Sequence, residues 1–231
     1  MFDEAGDRDE LYPIVPILII VDCSGSMQSV IGNVNKFIPR LIGTMAATPE
    51  AQEAGALGII EFNTKAETRR KLTWLDNAST QDRFEACGKT NYSAPLELAR
   101  KMLVEQAPQL GRSGYRPVIF FITDGNHNVV HPQKWIEAHA ALVSLRCRPR
   151  ILAFGFGAEI NLDTLKLLAT NPELASLADR AKAETAAIEE ILTIVLNTVV
   201  SLTVNPGGYE GFAARILRDE MIVPYGASGD Q

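Results

Sequence analysis

Apolar runs long enough to cross a bilayer are missing from this 231-residue chain, whose uninterrupted hydrophobic stretches fall far short of the roughly 20 residues a membrane helix needs. Cysteine is scarce. Cys23, Cys87 and Cys147 cannot all pair, so no disulfide framework is indicated. Positive charge is neither abundant nor gathered. The chain has 22 Lys and Arg against 28 Asp and Glu, a net charge of −6, and its basic residues fall in short groups such as Arg69-Arg70-Lys71. That balance opposes a phosphate backbone, and nucleic acid is not an expected partner. Internal repeats, low-complexity tracts and a Pro/Gly/Ser-rich linker are also lacking, which favours one domain over two. The first ten residues are acidic where a secretory leader would be basic and then apolar, so the expected location is the cytoplasm, away from any membrane.

What is present alternates. Ile14 to Val21 is a continuous β-branched run, and Leu57 to Phe62, Val118 to Thr123 and Arg150 to Phe154 share its character. Strands apolar on both faces belong in a parallel sheet covered by helices. Between them lie helical periods. Val30, Ile31, Val34, Phe37, Ile38, Leu41, Ile42 and Met45 form one apolar face, interrupted by Pro39, which predicts a kink or a division. Pro95 to Gln106, Gln133 to Leu145 and Glu184 to Leu202 repeat the helical spacing. The expected fold class is therefore α/β: Rossmann-like, doubly wound, with helices on both faces. One connection differs. Only four residues, 63–66, separate Phe62 from the strand-like stretch Glu67 to Leu75, too few for a crossover, so this pair must be an antiparallel hairpin at a sheet edge. A weak strand near Leu174 to Ala178 makes six strands, mainly parallel. The expected organisation is a disordered lead-in over 1–12, a domain over 13–203, and a Gly-rich C-terminal extension over 204–231.

Two strands end in an acid followed by turn residues: Val21-Asp22-Cys23-Ser24-Gly25-Ser26 and Ile122-Thr123-Asp124-Gly125. In an open α/β sheet, ligands bind beyond the carboxyl ends of the strands where the winding reverses. If the two strands are neighbours there, Asp22 and Asp124 face each other, with the hydroxyls of Ser24 and Ser26 beside them. Thr90, in a loop that opens a helix, adds a third hydroxyl. Two carboxylates and three hydroxyls are an all-oxygen set suited to a hard cation. Mg²⁺ is the expected ion, with Mn²⁺ and Ca²⁺ as alternatives of the same ligand chemistry. Two acids only balance a dication. If one acts through a water, the ion is left under-neutralised and open to an external anion, which suits a binding site.

Asp22-Cys23-Ser24-Gly25-Ser26 matches the Asp-x-Ser-x-Ser signature of the von Willebrand factor type A (vWA) domain, and Thr90 and Asp124-Gly125 fall where that family carries its other two metal-site motifs. The chain resembles the family over roughly residues 13–203, edge hairpin included, and within it the compact bacterial proteins of tellurite-resistance and stress operons. The resemblance implies the vWA fold and a metal-ion-dependent adhesion site, with both serines and the threonine as ligands and the aspartates direct or water-bridged. It further implies recognition of a partner protein that offers an Asp or Glu side chain to the metal, in a stress-response or signalling complex, and no enzymatic activity. Asn91, Tyr92, Asn126 and His127 flank the ligands and are the expected partner-binding rim, with Lys89 placed to compete for the incoming anion or to help hold it. This sequence departs from stress-operon relatives in Asn126-His127-Asn128, where they carry Pro and Thr/Asp.

Blander and rival readings stand beside these. Asp-x-Ser-x-Ser can be a helix start, with Ser24 or Ser26 as the cap. Cys23 and Cys87 invite a redox switch, although two small reduced residues explain them as well. His127 and His131 have the spacing of a zinc pair, but Pro132 argues for a loop and no further ligand completes the set. The main alternative function is a metal-dependent phosphohydrolase of the haloacid-dehalogenase type. Those enzymes need Asp-x-Asp after the first strand, and here the second acid is replaced by Ser24. A structural subunit with a vestigial site is a third reading, opposed by the completeness of the five oxygens.

Overall fold

Every residue of strand β1 (Val15–Asp22) is buried, as a strand with neighbours on both edges and helices on both faces requires. It pairs in parallel with β2 (Gly55–Phe62) on one side and β5 (Val118–Thr123) on the other. This computed structural model describes residues 14–74, 83–111, 113–129, 133–157, 160, 162–178, 183–204 and 223–224. The sheet has the order β3-β2-β1-β5-β6-β7, with β3 at Ala66–Trp74, β6 at Arg150–Gly155 and β7 at Ala175–Leu177. Only β3 is antiparallel, joined to β2 through the turn at 63–65. The expected six-stranded, mainly parallel sheet with one antiparallel edge strand is the fold observed.

Helices α1 (Ile31–Ala46), α2 (Pro49–Ala54) and α6 (Glu184–Val204) form one layer, and α3 (Ser93–Leu110) with α4 (Lys134–Val143) a second. A short helix, α5 (Leu162–Leu168), packs on β6 and β7. Neither α2 nor α5 was expected, since each is too short to show a helical period. Pro39 does not divide α1. Val34, Phe37, Ile38, Leu41 and Met45 bury one face on both sides of it. That shared packing outweighs the one backbone bond proline cannot donate. Leu72 falls where the β2–β3 register shifts, and its N–H donates to Gln106 Oε1 of α3 at 2.8 Å. Buried Arg70 donates to the carbonyls of Leu57 (3.2 Å) and Trp74 (3.1 Å) where the β2–β3 register shifts.

This order fixes where a ligand can sit. From β1 the chain winds outward to β2 and β3 on one side and to β5, β6 and β7 on the other, so the winding reverses between β1 and β5. Val21 lies opposite Ile122 in that pair, which brings Asp22 level with Thr123 and just below Asp124.

At the other end of the sheet, β4 (Ser113–Gly114) pairs antiparallel with β8 (Val223–Pro224), and Gly114 bridges to Ile14. Val223 and Pro224 of the C-terminal extension thus pair with β4, which itself bridges to Ile14 just before β1. The expected lead-in over 1–12 and residues 205–222 and 225–231 of the extension lie outside the described residues, while Val204, its expected first residue, ends α6. So short a pairing contributes little. Truncation after Val204 should therefore leave a soluble domain with a single cooperative thermal transition, melting only slightly below the full chain. An insoluble or molten product in a thermal melt would place the extension within the folding unit.

Candidate functional site

Asp22 closes β1 as a carboxylate carried to the end of an apolar strand, with no measurable exposure. Its oxygens are held by two neighbours: the Ser24 N–H donates to Oδ1 at 2.8 Å and the Thr123 hydroxyl to Oδ2 at 2.6 Å. Burial dominates its titration and raises it from 3.8 to about 7, against the lowering effect of the Thr123 and Ser24 hydrogen bonds; nearby Asp124 raises it further. Across the crevice, Asp124 Oδ1 accepts the Ser26 hydroxyl at 2.8 Å, and Ser26 Oγ lies 3.1 Å from Ser24 Oγ. Ser24 is buried and Ser26 exposed, so the cluster opens to solvent on the Ser26 side. Ser24 sits at the N-cap position of the 3₁₀ turn Gly25–Ser29 but makes no side-chain cap bond, and Val30 precedes α1. The capping reading of these serines is thereby corrected. Their hydroxyls turn to each other and to Asp124 instead of to a helix terminus.

Thr90 arrives from an irregular segment that packing holds in place. The Arg69 guanidinium pairs with Glu61 at 3.2 Å, lies 5.4 Å from the Phe84 ring centre, and donates to the Arg83 carbonyl at 2.7 Å. Asn35 of α1 both donates to and accepts from the Phe84 backbone, at 3.0 and 2.7 Å. Next come Cys87, whose N–H donates to the Cys23 carbonyl at 2.8 Å, and Gly88, whose carbonyl accepts the Gly25 N–H at 3.1 Å. Gly88 has φ +75°, and a Cβ there would lie 2.8 Å from Thr64 Oγ1, so glycine is required on two counts. Thr90 itself is buried. A Cβ placed on Gly125 would lie 3.6 Å from the Thr90 hydroxyl oxygen and 3.9 Å from that of Ser26. Side-chain oxygens of Asp22, Ser24, Ser26, Thr90 and Asp124 are thus gathered at one end of the β1–β5 seam. The donors are all oxygen, without thiolate or imidazole, and fit a hard divalent cation.

The rim residues fare differently. Tyr92 is fully buried, its ring among Phe62, Phe121 and Trp135, and its hydroxyl bonds to the Gly125 carbonyl. Its place on a partner-binding rim is corrected: it supports the site from beneath, where no partner reaches. Asn91 is half-buried, donating to the Thr64 carbonyl at 3.0 Å and accepting the Ser93 N–H at 3.2 Å where α3 begins. Asn126 and His127 are half-buried as well, and His127 Nδ1 accepts the Tyr92 N–H at 3.1 Å. Asn128, exposed, accepts the Thr90 N–H on its side-chain oxygen at 2.8 Å and returns its own N–H to the Thr90 carbonyl at 3.0 Å. Thr123 and Asn128 were not singled out from sequence. The signal for Thr123 lay in Thr-Asp-Gly, and that for Asn128 in the departure Asn-His-Asn. His131, the other half of the zinc pair, lies outside the described residues. Cys23 is buried and its thiol pushed well up by desolvation, while Cys87 is exposed.

Fold and site together define a class: a Rossmann-like α/β domain carrying an all-oxygen cluster where the winding of its sheet reverses. Residues 17–127 match the family model of the von Willebrand factor type A domain. No curated protein sequence matches the chain. Among solved structures it is similar to proximal thread matrix protein 1 from the mussel byssus "with zinc occupied MIDAS motif" (TM-score 0.63, 16% identity, 82% of this chain and 48% of that one). It is also similar to the pilus adhesin SpaC of Lactobacillus rhamnosus GG (TM-score 0.64, 15% identity, 84% and 31%). A third is a von Willebrand factor type A protein from Catenulispora acidiphila (TM-score 0.59, 17% identity, 82% and 43%). The chain spans less than half the length of each of these, and at such identities the likeness is one of fold.

The buried Asp22 carboxyl gives a pH signature. In metal-free protein the folded state keeps it protonated to about pH 7, whereas the unfolded chain ionises it near its ordinary 3.8. Its contribution to stability is therefore present below pH 4 and lost as pH rises through 7, on the order of 4 kcal/mol at full effect. Asp22→Asn keeps the shape and removes the charge. In EDTA it should match wild type near pH 4 and become progressively more stable than wild type up to pH 7, with no further gain above. Urea denaturation at four pH values measures this, and a constant difference would show that Asp22 is already ionised in the fold.

Proposed function

We propose that this domain is a metal-ion-dependent protein-recognition module in which Ser24, Ser26, Thr90, Asp22 and Asp124 hold Mg²⁺, or Mn²⁺ or Ca²⁺ in its place, and the ion captures an Asp or Glu side chain of a partner protein. The observation that carries this reading is the Ser24–Ser26–Asp124 chain of contacts, 3.1 and 2.8 Å, standing over Asp22 and open to solvent at Ser26. Charge favours the same conclusion. Two carboxylates at most neutralise a dication, and Asp22 already spends both oxygens on Ser24 and Thr123. The remaining positive field faces outward, where a carboxylate can complete the coordination.

The rim fits a protein ligand. Asn91, Asn126 and His127 keep partial exposure around the opening, and Lys65 and Lys89 stand exposed on turns that bond to each other, the Lys89 N–H donating to Thr64 Oγ1 at 3.0 Å. A metal–carboxylate bond alone would not hold a partner, because association costs several kcal/mol, and this surface supplies the contacts that must accompany it. The phosphohydrolase reading is weaker. Ser24 stands where the second acid would act. The imidazole beside the site, His127, commits Nδ1 to the Tyr92 N–H. The acidic composition, the scarcity of cysteine and the resemblance to compact bacterial vWA proteins support a reading in which the module works in the cytoplasm, in a stress-response or signalling complex. No helix among the described residues is long and apolar enough to span a membrane.

Calorimetry should show one Mg²⁺ or Mn²⁺ per chain, lost in Asp22→Ala and Asp124→Ala while circular dichroism remains native. Unchanged binding in both variants would remove the metal assignment. The metal-loaded protein should turn over neither phosphomonoesters nor nucleotides. A turnover abolished by Asp22→Asn would favour the enzyme reading. Pull-downs in Mg²⁺ and in EDTA, read by mass spectrometry, should differ in a protein whose titrated affinity falls with chelation and in Thr90→Val.

A further inference from the structure

The segment after Thr-Asp-Gly, Asn126-His127-Asn128, is joined to the Thr90 loop more closely than a rim segment needs to be. Asn128 takes the Thr90 N–H on Oδ1 at 2.8 Å and gives its own N–H to the Thr90 carbonyl at 3.0 Å, so both polar backbone groups of Thr90 are bound to one residue. One residue earlier, His127 Nδ1 accepts the Tyr92 N–H at 3.1 Å. Tyr92 in turn sends its hydroxyl back to the Gly125 carbonyl, with Thr123 Oγ1 3.5 Å away. Residues 123–128 and 90–92 are therefore fastened along their length, and the fastening ends at Asp22, whose Oδ2 takes the Thr123 hydroxyl at 2.6 Å.

We infer that Asn128 is a positioning residue for the metal site: by clamping the Thr90 backbone it sets the Thr90 hydroxyl at the ion and ties the Thr90 loop to the Asp124 loop. The inference rests on the metal reading above. Its physical content lies in the loop. Residues 83–90 form no helix or strand, so no regular backbone ladder fixes Thr90. A hydroxyl oxygen is a weak, neutral ligand, and it contributes only if it is delivered in place without a further ordering cost. Asn128 suits the task, since its amide oxygen reaches a backbone N–H that would otherwise be buried without an acceptor, and it brings no charge to compete with Asp124 for the ion. Asn128 is itself exposed, so a partner seated over the ion would meet the group that sets the Thr90 ligand.

The test is a double-mutant cycle on the full chain, with Mn²⁺ alone as the probe. Asn128→Ala should weaken Mn²⁺ binding by about tenfold or more, the usual cost of losing a group that orients a ligand. Thr90→Val should weaken it at least as much. The double variant should be no weaker than Thr90→Val, because a clamp on an absent ligand has nothing left to position. A merely structural Asn128 would give additive losses. In metal-free protein, hydrogen exchange of the Thr90 amide should quicken about tenfold in Asn128→Ala, with β1 and β5 amides unchanged, which separates the clamp from general unfolding. Mn²⁺ affinity of Asn128→Ala within twofold of wild type, additive losses, or an unchanged Thr90 amide would overturn the inference. Wild-type protein that binds no Mn²⁺ would overturn the metal reading on which it stands, while the Thr90 exchange rate would still report the clamp.

Discussion

A carboxyl group held without exposure at the end of an apolar strand is the constraint around which this domain is arranged. Asp22 cannot be tolerated there unaided, since burying a polar group without partners costs several kcal/mol. The Ser24 N–H and the Thr123 hydroxyl supply those partners, and each requires a particular piece of the fold. Ser24 needs the chain to turn at once after β1. Thr123 needs β5 to be the parallel neighbour of β1, in the register that sets Val21 against Ile122. The same register lifts Asp124 just past the sheet, where Ser26 reaches it. The demand for satisfying one buried acid and the geometry of the candidate metal site are thus the same demand.

The second requirement is delivery of Thr90, and it is met by irregular chain. Between the described end of β3 and the start of α3 no strand or helix carries the segment 83–92. It is positioned by side chains instead: the Glu61–Arg69 pair and the Phe84 ring beneath Arg69, the reciprocal Asn35–Phe84 bonds, and the Asn128–Thr90 pair. The Asn35–Phe84 and Thr90–Asn128 bonds span 49 and 38 residues, so they exist only when α1 and the loop after β5 are in place. Such a loop suits a binding site. It is held by specific side-chain contacts, and these fix where the Thr90 hydroxyl sits.

The sequence by itself determined the order of the six sheet strands and of the longer helices, the edge hairpin and the five oxygen-bearing residues. Those features are local. A β-branched run, a helical period, a four-residue connection and an acid at a strand end are each set by neighbours along the chain. Strand apolarity on both faces was enough to imply a parallel, doubly covered sheet, and an acid after each of two such strands was enough to locate the crevice. Tertiary structure decided what depends on distant partners. Tyr92 has the sequence context of a rim residue, yet Phe62, Phe121 and Trp135 converge on it from three elements and make it core. Pro39 breaks a helical pattern, but the apolar face on both sides of it is bound to the same layer, and one helix results. Ser24 and Ser26 can cap a helix in isolation, and only the arrival of Asp124, 98 residues beyond Ser26, turns the Ser26 hydroxyl into the crevice. Thr123 and Asn128 lie in segments that the sequence marks, Thr-Asp-Gly and Asn-His-Asn, but the bonds they make to Asp22 and Thr90 exist only in the folded chain. Residue identity along the chain sets what a side chain is able to bond, while which bond it makes is settled by whatever the fold brings within 3 Å.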